Sequence, residues 1–421
     1  MVALNGLILQ NPWWKEKKVP KVFLGRKRKE FFEKIKKYLR LRQALLIYGL
    51  RRTGKTTFFY QLIQKLILSE VAPEKILYFS FDEKEASLKD ILTVYESEVL
   101  QEIITENTTL YLFLDEIQKL ENWQEQVKII YDRYPKIKIF LSGSASINLQ
   151  KGIRESLAGR VFEFEFTPLS FREFLEWKGV KVKRAKLDLY HKELKLLAKE
   201  YLLKGGFPEI VNEKDKEIIR LYLKSSVLEK IVGQDLPLEF GLRDPELLQS
   251  LIENFFSQPG MILNYNKLAS DFQRSKVTII NYVFYLTYAL LLREVKNFRP
   301  SLRVTSRKGR KIYPYNPAFC FIYLPEKEGF KKVWETAVAT VLGTEYYYRN
   351  SFEVGFVLKH GNELVPIEVK SNKPEFSQVE KFIEKFGAKK GFVITQEEEA
   401  QQGNIKSLPL WKVLIKGRDI I

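Results

Sequence analysis

The sequence predicts an α/β protein whose first half is built on a parallel sheet with helices on both faces. Between residues 44 and 166, five short apolar segments alternate with stretches of helical periodicity. This alternation is typical of parallel strands joined by crossover helices. A glycine-rich turn also stands directly between the first strand and the helix that follows it, which is the position of a phosphate-binding loop.

The predicted strands follow one another at the intervals that this fold requires. They are Ala44–Tyr48, Ile76–Phe81, Leu110–Leu114, Ile137–Leu141 and Val161–Phe166. After residue 168 the pattern changes, and residues 171–232 are almost all helical in period. Residues 245–292 predict three helices, and from residue 333 the chain predicts a helix, two strands, a helix and a strand.

Composition limits the classes of function. Hydrophobic residues make up 45% of the 421 residues, which excludes a disordered chain. The 70 basic and 52 acidic residues leave a net charge of +18, which favours an anionic partner. The single Cys320 and the two histidines, His191 and His360, argue against a disulfide framework and against a Cys or His metal site. Abundant Lys and Glu with little Cys and Met are typical of a thermophile.

The chain shows no pattern for membrane insertion or export. Its longest apolar runs, such as residues 318–324, are much shorter than a membrane span. The N-terminus lacks the basic segment and cleavage pattern of a signal peptide. We therefore expect a cytoplasmic protein without membrane contact.

Residues 49–56 contain a complete GxxxxGKT phosphate loop. Its glycines allow backbone N–H groups to face phosphates. We expect Lys55 to reach the β- and γ-phosphates of ATP and the Thr56 hydroxyl to bind Mg²⁺. The predicted nucleotide-binding residues here are Gly49, Leu50, Arg51, Arg52, Thr53, Gly54, Lys55, Thr56 and Thr57.

Two carboxylates follow the strand at residues 110–114. We expect Asp115 to hold Mg²⁺ through water and Glu116 to orient and deprotonate the attacking water. At the end of the next strand, Ser142 and Ser144 are candidates for a side chain that contacts the γ-phosphate. For either serine alone, an ordinary loop position is an equal alternative.

Several motifs, taken in order, resemble the AAA+ superfamily. More narrowly, the chain resembles the archaeal and bacterial AAA+ ATPases that carry a C-terminal domain of unknown function. The resemblance implies a five-stranded core with a helical lid, and ATP with its adenine near Leu24 and Gly25. The matching segments are residues 23–30, 49–56, 114–118, 141–144, 157–160, 168–174 and 205–209.

The resemblance also implies an arginine that reaches the ATP of a neighbouring subunit. Arg160, directly before the last core strand, is the first candidate, and Arg154 is the second. Such a guanidinium contributes roughly 10³–10⁵ in rate. The resemblance further implies a homo-oligomer whose assembly depends on nucleotide. The alternative is a structural arginine at the strand end.

Residues 264–283 have the spacing of a helix-turn-helix. We expect the packed face to consist of Leu268, Ala269, Phe272, Val277, Ile280 and Val283. We expect the outer face of the second helix to carry Ser275, Lys276, Thr278, Asn281 and Tyr282.

The basic stretch after these helices resembles the wing of a winged helix, with a strand, a loop and a strand. Its basic residues are Arg299, Arg303, Arg307, Lys308, Arg310 and Lys311. Of these, Arg307, Lys308, Arg310 and Lys311, together with Lys276, Thr278 and Asn281, are the expected contacts to double-stranded DNA. A winged helix that contacts protein is the alternative.

The C-terminal segment resembles the PD-(D/E)xK nuclease fold. Glu335, Glu368 and Lys370 match three positions of its active site, but Gly355 stands at the expected Asp. Glu353 shares a strand face with Gly355 and is a partial substitute. Because a missing metal carboxylate removes the activity, we expect the fold without cleavage.

These predictions divide the chain into an AAA+ core (1–168), a helical lid (169–242), a winged helix-turn-helix (243–318) and a restriction-endonuclease-like α/β domain (325–421). The predicted function is a Mg²⁺-dependent ATPase that binds ATP or ADP and couples nucleotide state to DNA binding. The alternatives are a nucleotide-controlled switch that binds a protein partner and, less favoured, an ATP-dependent nuclease.

Overall fold

The computed structural model describes residues 4–82, 86–145, 156–180, 184–242, 244–300, 309–371 and 373–421. The chain divides into two units, residues 1–167 and 168–421. Among the described residues, no helix combines the length and the apolar character needed to cross a lipid bilayer.

The first unit is built on a parallel sheet, and the predicted α/β class is confirmed. Among the described residues, five strands pair in the order β2-β3-β4-β1-β5. The strands are β1 (Ala44–Tyr48), β2 (Ile76–Ser80), β3 (Leu110–Asp115), β4 (Ile137–Gly143) and β5 (Val161–Glu165). Parallel strands place their carboxyl ends at one edge, so the turns after β1, β3 and β4 lie side by side.

Helices flank this sheet, and two apolar clusters lie on its faces. The helices are α1 (Leu4–Gln10), α2 (Trp13–Glu16), α3 (Lys21–Leu24), α4 (Lys29–Ile35), α5 (Lys55–Leu68), α6 (Leu88–Tyr95) and α7 (Trp123–Arg133). Strands buried on both faces explain their nearly continuous apolar sequences.

The N-terminal segment covers the edge strand β2. The Asn11 side-chain amide donates to the carbonyl oxygen of Tyr78 at 2.8 Å, and its Oδ1 accepts from the N–H of Tyr78 at 2.7 Å. The indole N–H groups of Trp13 and Trp14 both donate to the carbonyl oxygen of Ile76. These bonds satisfy backbone groups that would otherwise stay exposed at a sheet edge.

The second unit begins with helices and continues into a mixed sheet. Its helices are α8 (Phe171–Trp177), α9 (His191–Lys204), α10 (Lys216–Leu221), α11 (Leu236–Phe240), α12 (Pro245–Ser257), α13 (Tyr265–Asp271), α14 (Lys276–Tyr288), α15 (Cys320–Tyr323), α16 (Glu326–Leu342), α17 (Ser377–Phe386) and α18 (Leu410–Lys416). Cys320 is buried, as a core residue should be.

Among the described residues of this unit, nine strands join in the order β13-β14-β12-β11-β10-β9-β7-β8-β6. They are β6 (Met261–Ile262), β7 (Leu292–Asn297), β8 (Arg310–Pro314), β9 (Tyr346–Arg349), β10 (Glu353–His360), β11 (Glu363–Val369), β12 (Gly391–Thr395), β13 (Gln401–Gln402) and β14 (Ile405–Pro409). Parallel pairing of β7 with β9 joins the segment expected as a winged helix to the segment expected as a nuclease-like domain in one sheet. The predicted domain limits stay predictions.

The α13–α14 pair forms, but of the three α14 residues expected to pack, only Val283 is buried. The buried residues of α14 are Ile279, Tyr282, Val283 and Leu286. Val277 and Ile280, expected inside, are 65% and 38% exposed, and Tyr282, expected outside, is only 7% exposed. The helix is apolar on nearly every side, so its sequence contains two competing stripes of helical spacing.

Candidate functional site

The phosphate loop joins β1 to α5 in a conformation that its residues dictate. Gly54 has a φ of 96°, and Arg52 has a φ of 64°, both in the left-handed region. A Cβ at Gly49 would lie 2.4 Å from the carbonyl oxygen of Phe166, so only glycine fits there. Gly49 is therefore needed for close packing, and Gly54 is needed for a left-handed turn.

Lys55 lies inside this loop. Its ammonium donates to the carbonyl oxygens of Gly49 (3.1 Å) and Leu50 (3.0 Å), and the residue is only 6% exposed. The Thr53 hydroxyl also donates to the carbonyl oxygen of Leu50, at 2.9 Å. A buried ammonium that donates to loop carbonyl oxygens is suited to a phosphate, because an anion neutralises its charge.

The predicted adenine-side residues lie beside the start of α5. A Cβ at Gly25 would lie 2.9 Å from the Thr57 methyl group. The Gln61 side-chain amide donates to the carbonyl oxygen of Leu24 at 2.6 Å. The structure therefore brings Leu24 and Gly25 next to the phosphate loop's helix.

Asp115, at the end of β3, is a buried carboxylate with three hydroxyl donors. Its Oδ2 accepts from Thr56 at 2.6 Å and from Tyr78 at 2.9 Å, and its Oδ1 accepts from Ser142. Asp115 is 2% exposed and Ser142 is fully buried. Asp115 and Thr56 thus form the oxygen pair expected for Mg²⁺, while Ser142 contacts the carboxylate.

Glu116 directly follows Asp115 and has a left-handed backbone conformation, with a φ of 52°. Its Oε2 accepts from the Gln118 side-chain amide at 2.5 Å. Burial raises the pKa of Glu116, nearby Asp115 adds to that rise, and the Lys55 ammonium opposes it. A carboxylate with a raised pKa is a better proton acceptor near neutral pH than an ordinary one.

Tyr78 and Gln118 were not predicted as site residues. Tyr78 contacts Asp115 because β2 pairs with β3, which a single sequence does not reveal. Gln118 lies in the motif after Glu116, and a polar residue two positions beyond a candidate base was the available signal. Its Oε1 also accepts from the N–H of Ser144 at 3.4 Å.

Arg160 lies at the opposite end of the sheet from the phosphate loop. It precedes Val161, which pairs with Ala44 at the start of β1, whereas the loop follows Tyr48. Four strand residues correspond to about 13 Å. Its guanidinium forms a bidentate pair with Asp132, at 2.8 and 3.0 Å. Arg154, the second candidate, lies outside the described residues.

The structure describes only some of the residues that are expected to contact DNA. Lys276 and Asn281 are exposed on α14, and Ser275 caps that helix by accepting from the N–H of Thr278 at 3.0 Å. Arg303, Arg307 and Lys308 lie outside the described residues.

Two basic residues of the expected wing lie in β8. Lys311 is 7% exposed, and its ammonium lies 2.6 Å from Oε1 of Glu353. Arg310 pairs with Glu294 at 2.6 Å. The expectation that Lys311 is open to phosphates is therefore corrected, because its ammonium lies over the Tyr347 ring and pairs with Glu353.

The nuclease-like cluster has two carboxylates with protein partners. Glu335 Oε2 accepts from the Tyr313 hydroxyl at 2.6 Å, and Glu368 Oε2 accepts from the N–H of Gly355 at 2.8 Å. Lys370 lies 3.9 Å from Glu368 and 3.0 Å from a different carboxylate, that of Glu375. No cluster of three or more metal-ligating side chains occurs among the residues described.

Comparisons with known proteins identify two family segments. Residues 41–175 match the family described as an AAA domain, and this segment contains the phosphate loop, Asp115 and Glu116. The resemblance to AAA+ ATPases is thereby confirmed for this segment. More particularly, residues 195–325 match a domain of unknown function (DUF8612).

The similar proteins are themselves uncharacterized. One from Methanocaldococcus jannaschii is 32% identical over 273 residues, covering 64% of this chain and 59% of that protein. A second from the same organism is 28% identical and covers 90% of this chain and 86% of its own length. A Haemophilus influenzae protein is 28% identical over 60% of this chain and 62% of its own length. The chain thus spans less than two thirds of the first and third relatives.

Solved structures give weaker similarities. The Saccharomyces cerevisiae Hsp104–ADP complex aligns with a TM-score of 0.31 and 17% identity, covering 66% of this chain and 39% of that one. Cdc6p from Pyrobaculum aerophilum aligns with a TM-score of 0.27 and 13% identity, covering 77% and 98%. At these scores the similarity supports no functional assignment.

Proposed function

We propose that the first unit binds ATP with Mg²⁺ and hydrolyses it. The observation that carries the proposal is the grouping of Lys55, Thr56, Asp115 and Glu116 at one sheet edge, with Thr56 and Asp115 in direct contact. The match of residues 41–175 to an AAA domain supports nucleotide binding in general terms. ATP as the nucleotide and hydrolysis as the reaction are our inferences.

Each residue has a separate task in this reaction. Lys55 neutralises the β- and γ-phosphates, and the loop N–H groups donate to them. Thr56 and Asp115 would hold Mg²⁺, which supplies charge neutralisation for the leaving phosphates. Glu116 holds the attacking water and accepts its proton, since its raised pKa suits proton transfer near neutrality. Ser142 fixes the rotamer of Asp115.

Phosphate release with Lys55→Ala tests this proposal. We expect the variant to lose nucleotide binding or turnover, because it removes the cation on the β- and γ-phosphates. Lys65→Ala is the matched control, because Lys65 is an exposed lysine on the same helix. Equal turnover by Lys55→Ala and Lys65→Ala would overturn the assignment of the site.

We also propose that Arg160 acts on the ATP of a neighbouring subunit. About 13 Å of strand separates it from its own phosphate loop, so a role in its own site is disfavoured. Arg160→Ala should keep ATP affinity and lose turnover. Mixing it with Glu116→Gln should restore part of the activity, because one composite site then carries both intact groups. No rescue at any ratio would support a structural pair with Asp132 instead.

Nucleotide state is proposed to couple to DNA binding through α14 and the basic segment around residues 299–310. The net charge of +18 and the exposed Lys276 support this. Duplex affinity should fall linearly against salt on logarithmic axes, and Lys276→Ala should flatten the slope by about 0.9. A duplex affinity that does not change with salt concentration would contradict DNA binding through phosphate contacts.

A protein partner is the second candidate, and one observation favours it. Val277, Ile280 and Phe284 form an exposed apolar stripe on α14, with exposures of 65%, 38% and 45%. Such stripes commonly mark protein contacts. Phe284→Ser should then weaken capture of the partner and leave duplex affinity unchanged, whereas a loss of duplex affinity would assign the stripe to DNA.

Nuclease activity is not part of the proposal. Gly355 donates its N–H where a third carboxylate is needed, and Glu353 is paired with Lys311. We therefore expect no Mg²⁺-dependent nicking of supercoiled plasmid; nicking that Glu368→Gln removes would restore the nuclease alternative.

A further inference from the structure

The second unit contains an open cavity of about 290 Å³ between two helices. The walls are α9 and α16, and the start of α18 closes one side. Phe330 and Trp334 of α16 and Trp411 of α18 give it aromatic surface. Trp411 is 6% exposed and belongs to the apolar core, so core packing holds this wall of the cavity in place. We refer to it as the lysine–aromatic pocket.

Four lysines line this pocket: Lys195, Lys199, Lys327 and Lys331. They lie at i and i+4 on α9 and on α16, so each helix directs its pair to one side. Within the part of the chain that the structure describes, no carboxylate lines the pocket. Among the described residues, only Lys195 of the four has an ion pair, with the exposed Glu397. The other three lysines therefore place positive charge around an apolar aromatic interior.

We propose that the lysine–aromatic pocket binds single-stranded nucleic acid, with one base against the rings of Phe330 and Trp334 and backbone phosphates at the lysines. Aromatic surfaces flanked by basic side chains bind single strands because every base offers a π-face and every nucleotide a phosphate. A volume near 290 Å³ admits one base rather than a duplex. The inference requires neither ATP hydrolysis nor the α14 surface.

The charge arrangement favours a nucleic acid over an acidic protein segment. Carboxylate side chains would pair with the lysines and leave the rings without a matching group. A nucleotide supplies the planar ring and the anion together. Lys199 already lies 6.0 Å from the centre of the Phe330 ring, so ring and cation can act on the same ligand.

The test measures binding of a fluorescein-labelled twelve-residue oligothymidylate to the full chain by anisotropy at several salt concentrations. The double variant Lys199→Ala with Lys331→Ala should weaken binding about tenfold or more at low salt and reduce the logarithmic salt slope by about 1.4. The control is Lys224→Ala with Lys381→Ala, which removes two exposed lysines elsewhere in the same unit. Equal effects of the two double variants would overturn the proposal.

A third variant separates stacking from charge. Phe330→Leu keeps an apolar side chain of similar reach and removes the ring, so affinity should fall about fivefold while the salt slope stays unchanged. Unlabelled dTMP in excess distinguishes a free nucleotide from a strand; displacement only at concentrations far above that of the oligonucleotide supports the strand. Displacement by polyglutamate at equal charge concentration, together with no effect of Phe330→Leu, would assign the pocket to an acidic protein segment and refute the proposal.

Discussion

Glu368→Gln should change how the stability of the second unit depends on pH. The Glu368 side chain on β11 is 16% exposed. Burial raises the pKa of Glu368 from 4.5 to about 7, against the opposing effects of the Gly355 N–H and the Lys370 ammonium, while Glu335 adds to the rise. Between these two pH values the native protein holds a proton that the unfolded chain has lost.

The sign and the size of the effect follow from this difference. The stabilising contribution is fully present below pH 4.5 and is lost as pH rises through about 7. Each pH unit in this window costs about 1.4 kcal/mol, so the total reaches roughly 3 kcal/mol. Gln keeps an oxygen for the N–H of Gly355 but does not titrate. Its stability curve should therefore be flatter across the same window.

Urea unfolding followed by tryptophan fluorescence between about pH 4.5 and 8 measures this slope. Glu345→Gln is the control, because Glu345 is exposed between α16 and β9. The difference between wild type and Glu368→Gln should grow on acidification, with wild type gaining stability relative to the variant. Parallel curves for wild type and both variants would mean that Glu368 ionises as it does in water and that burial does not raise its pKa.

Three further predictions concern the first unit. Gly49→Ala should abolish ATP binding measured by calorimetry, because its Cβ would meet a backbone oxygen. Gly233→Ala should bind normally, because the new Cβ would meet nothing within 4 Å beyond its chain neighbours and its own helix backbone. Asn11→Ala should cost about 2 kcal/mol or more of unfolding free energy by leaving both backbone groups of Tyr78 unpaired, and the exposed Asn5→Ala should cost much less. ATP turnover, measured in a stopped assay at a series of pH values, should fall as the pH drops through the raised pKa of Glu116. A rate that stays constant from pH 4.5 upward would contradict the role of Glu116 as a base.

The predictable part of the site depends on local sequence and on one topological rule. The phosphate loop needs only β1, a turn and α5, which adjoin in sequence. Asp115 and Ser142 could be placed together because the carboxyl ends of parallel strands share an edge. Tyr78 could not be placed in the site, because its contact with Asp115 depends on the pairing of β2 with β3 in the sheet.

The errors in the second unit have equally specific causes. The predicted packed face of α14 was right at Val283 but wrong at Val277 and Ile280. Apolar residues stand at helical spacing on nearly every side of this helix, and tertiary packing selected a set that includes Ile279. Lys311 was expected to contact DNA phosphates because it belongs to the basic stretch after the helix-turn-helix. Its burial depends on β9 pairing with β7, which brings Glu353 of the adjoining strand within reach.

ATP binding and turnover by Glu116→Gln test the proposed hydrolysis most directly. We expect ATP affinity close to that of wild type and a turnover lower by a factor of about 10² or more, because the water loses its proton acceptor while Lys55, Thr56 and Asp115 remain in place. Wild-type turnover by Glu116→Gln would contradict the assignment of Glu116 and, with it, the proposed mechanism of the site.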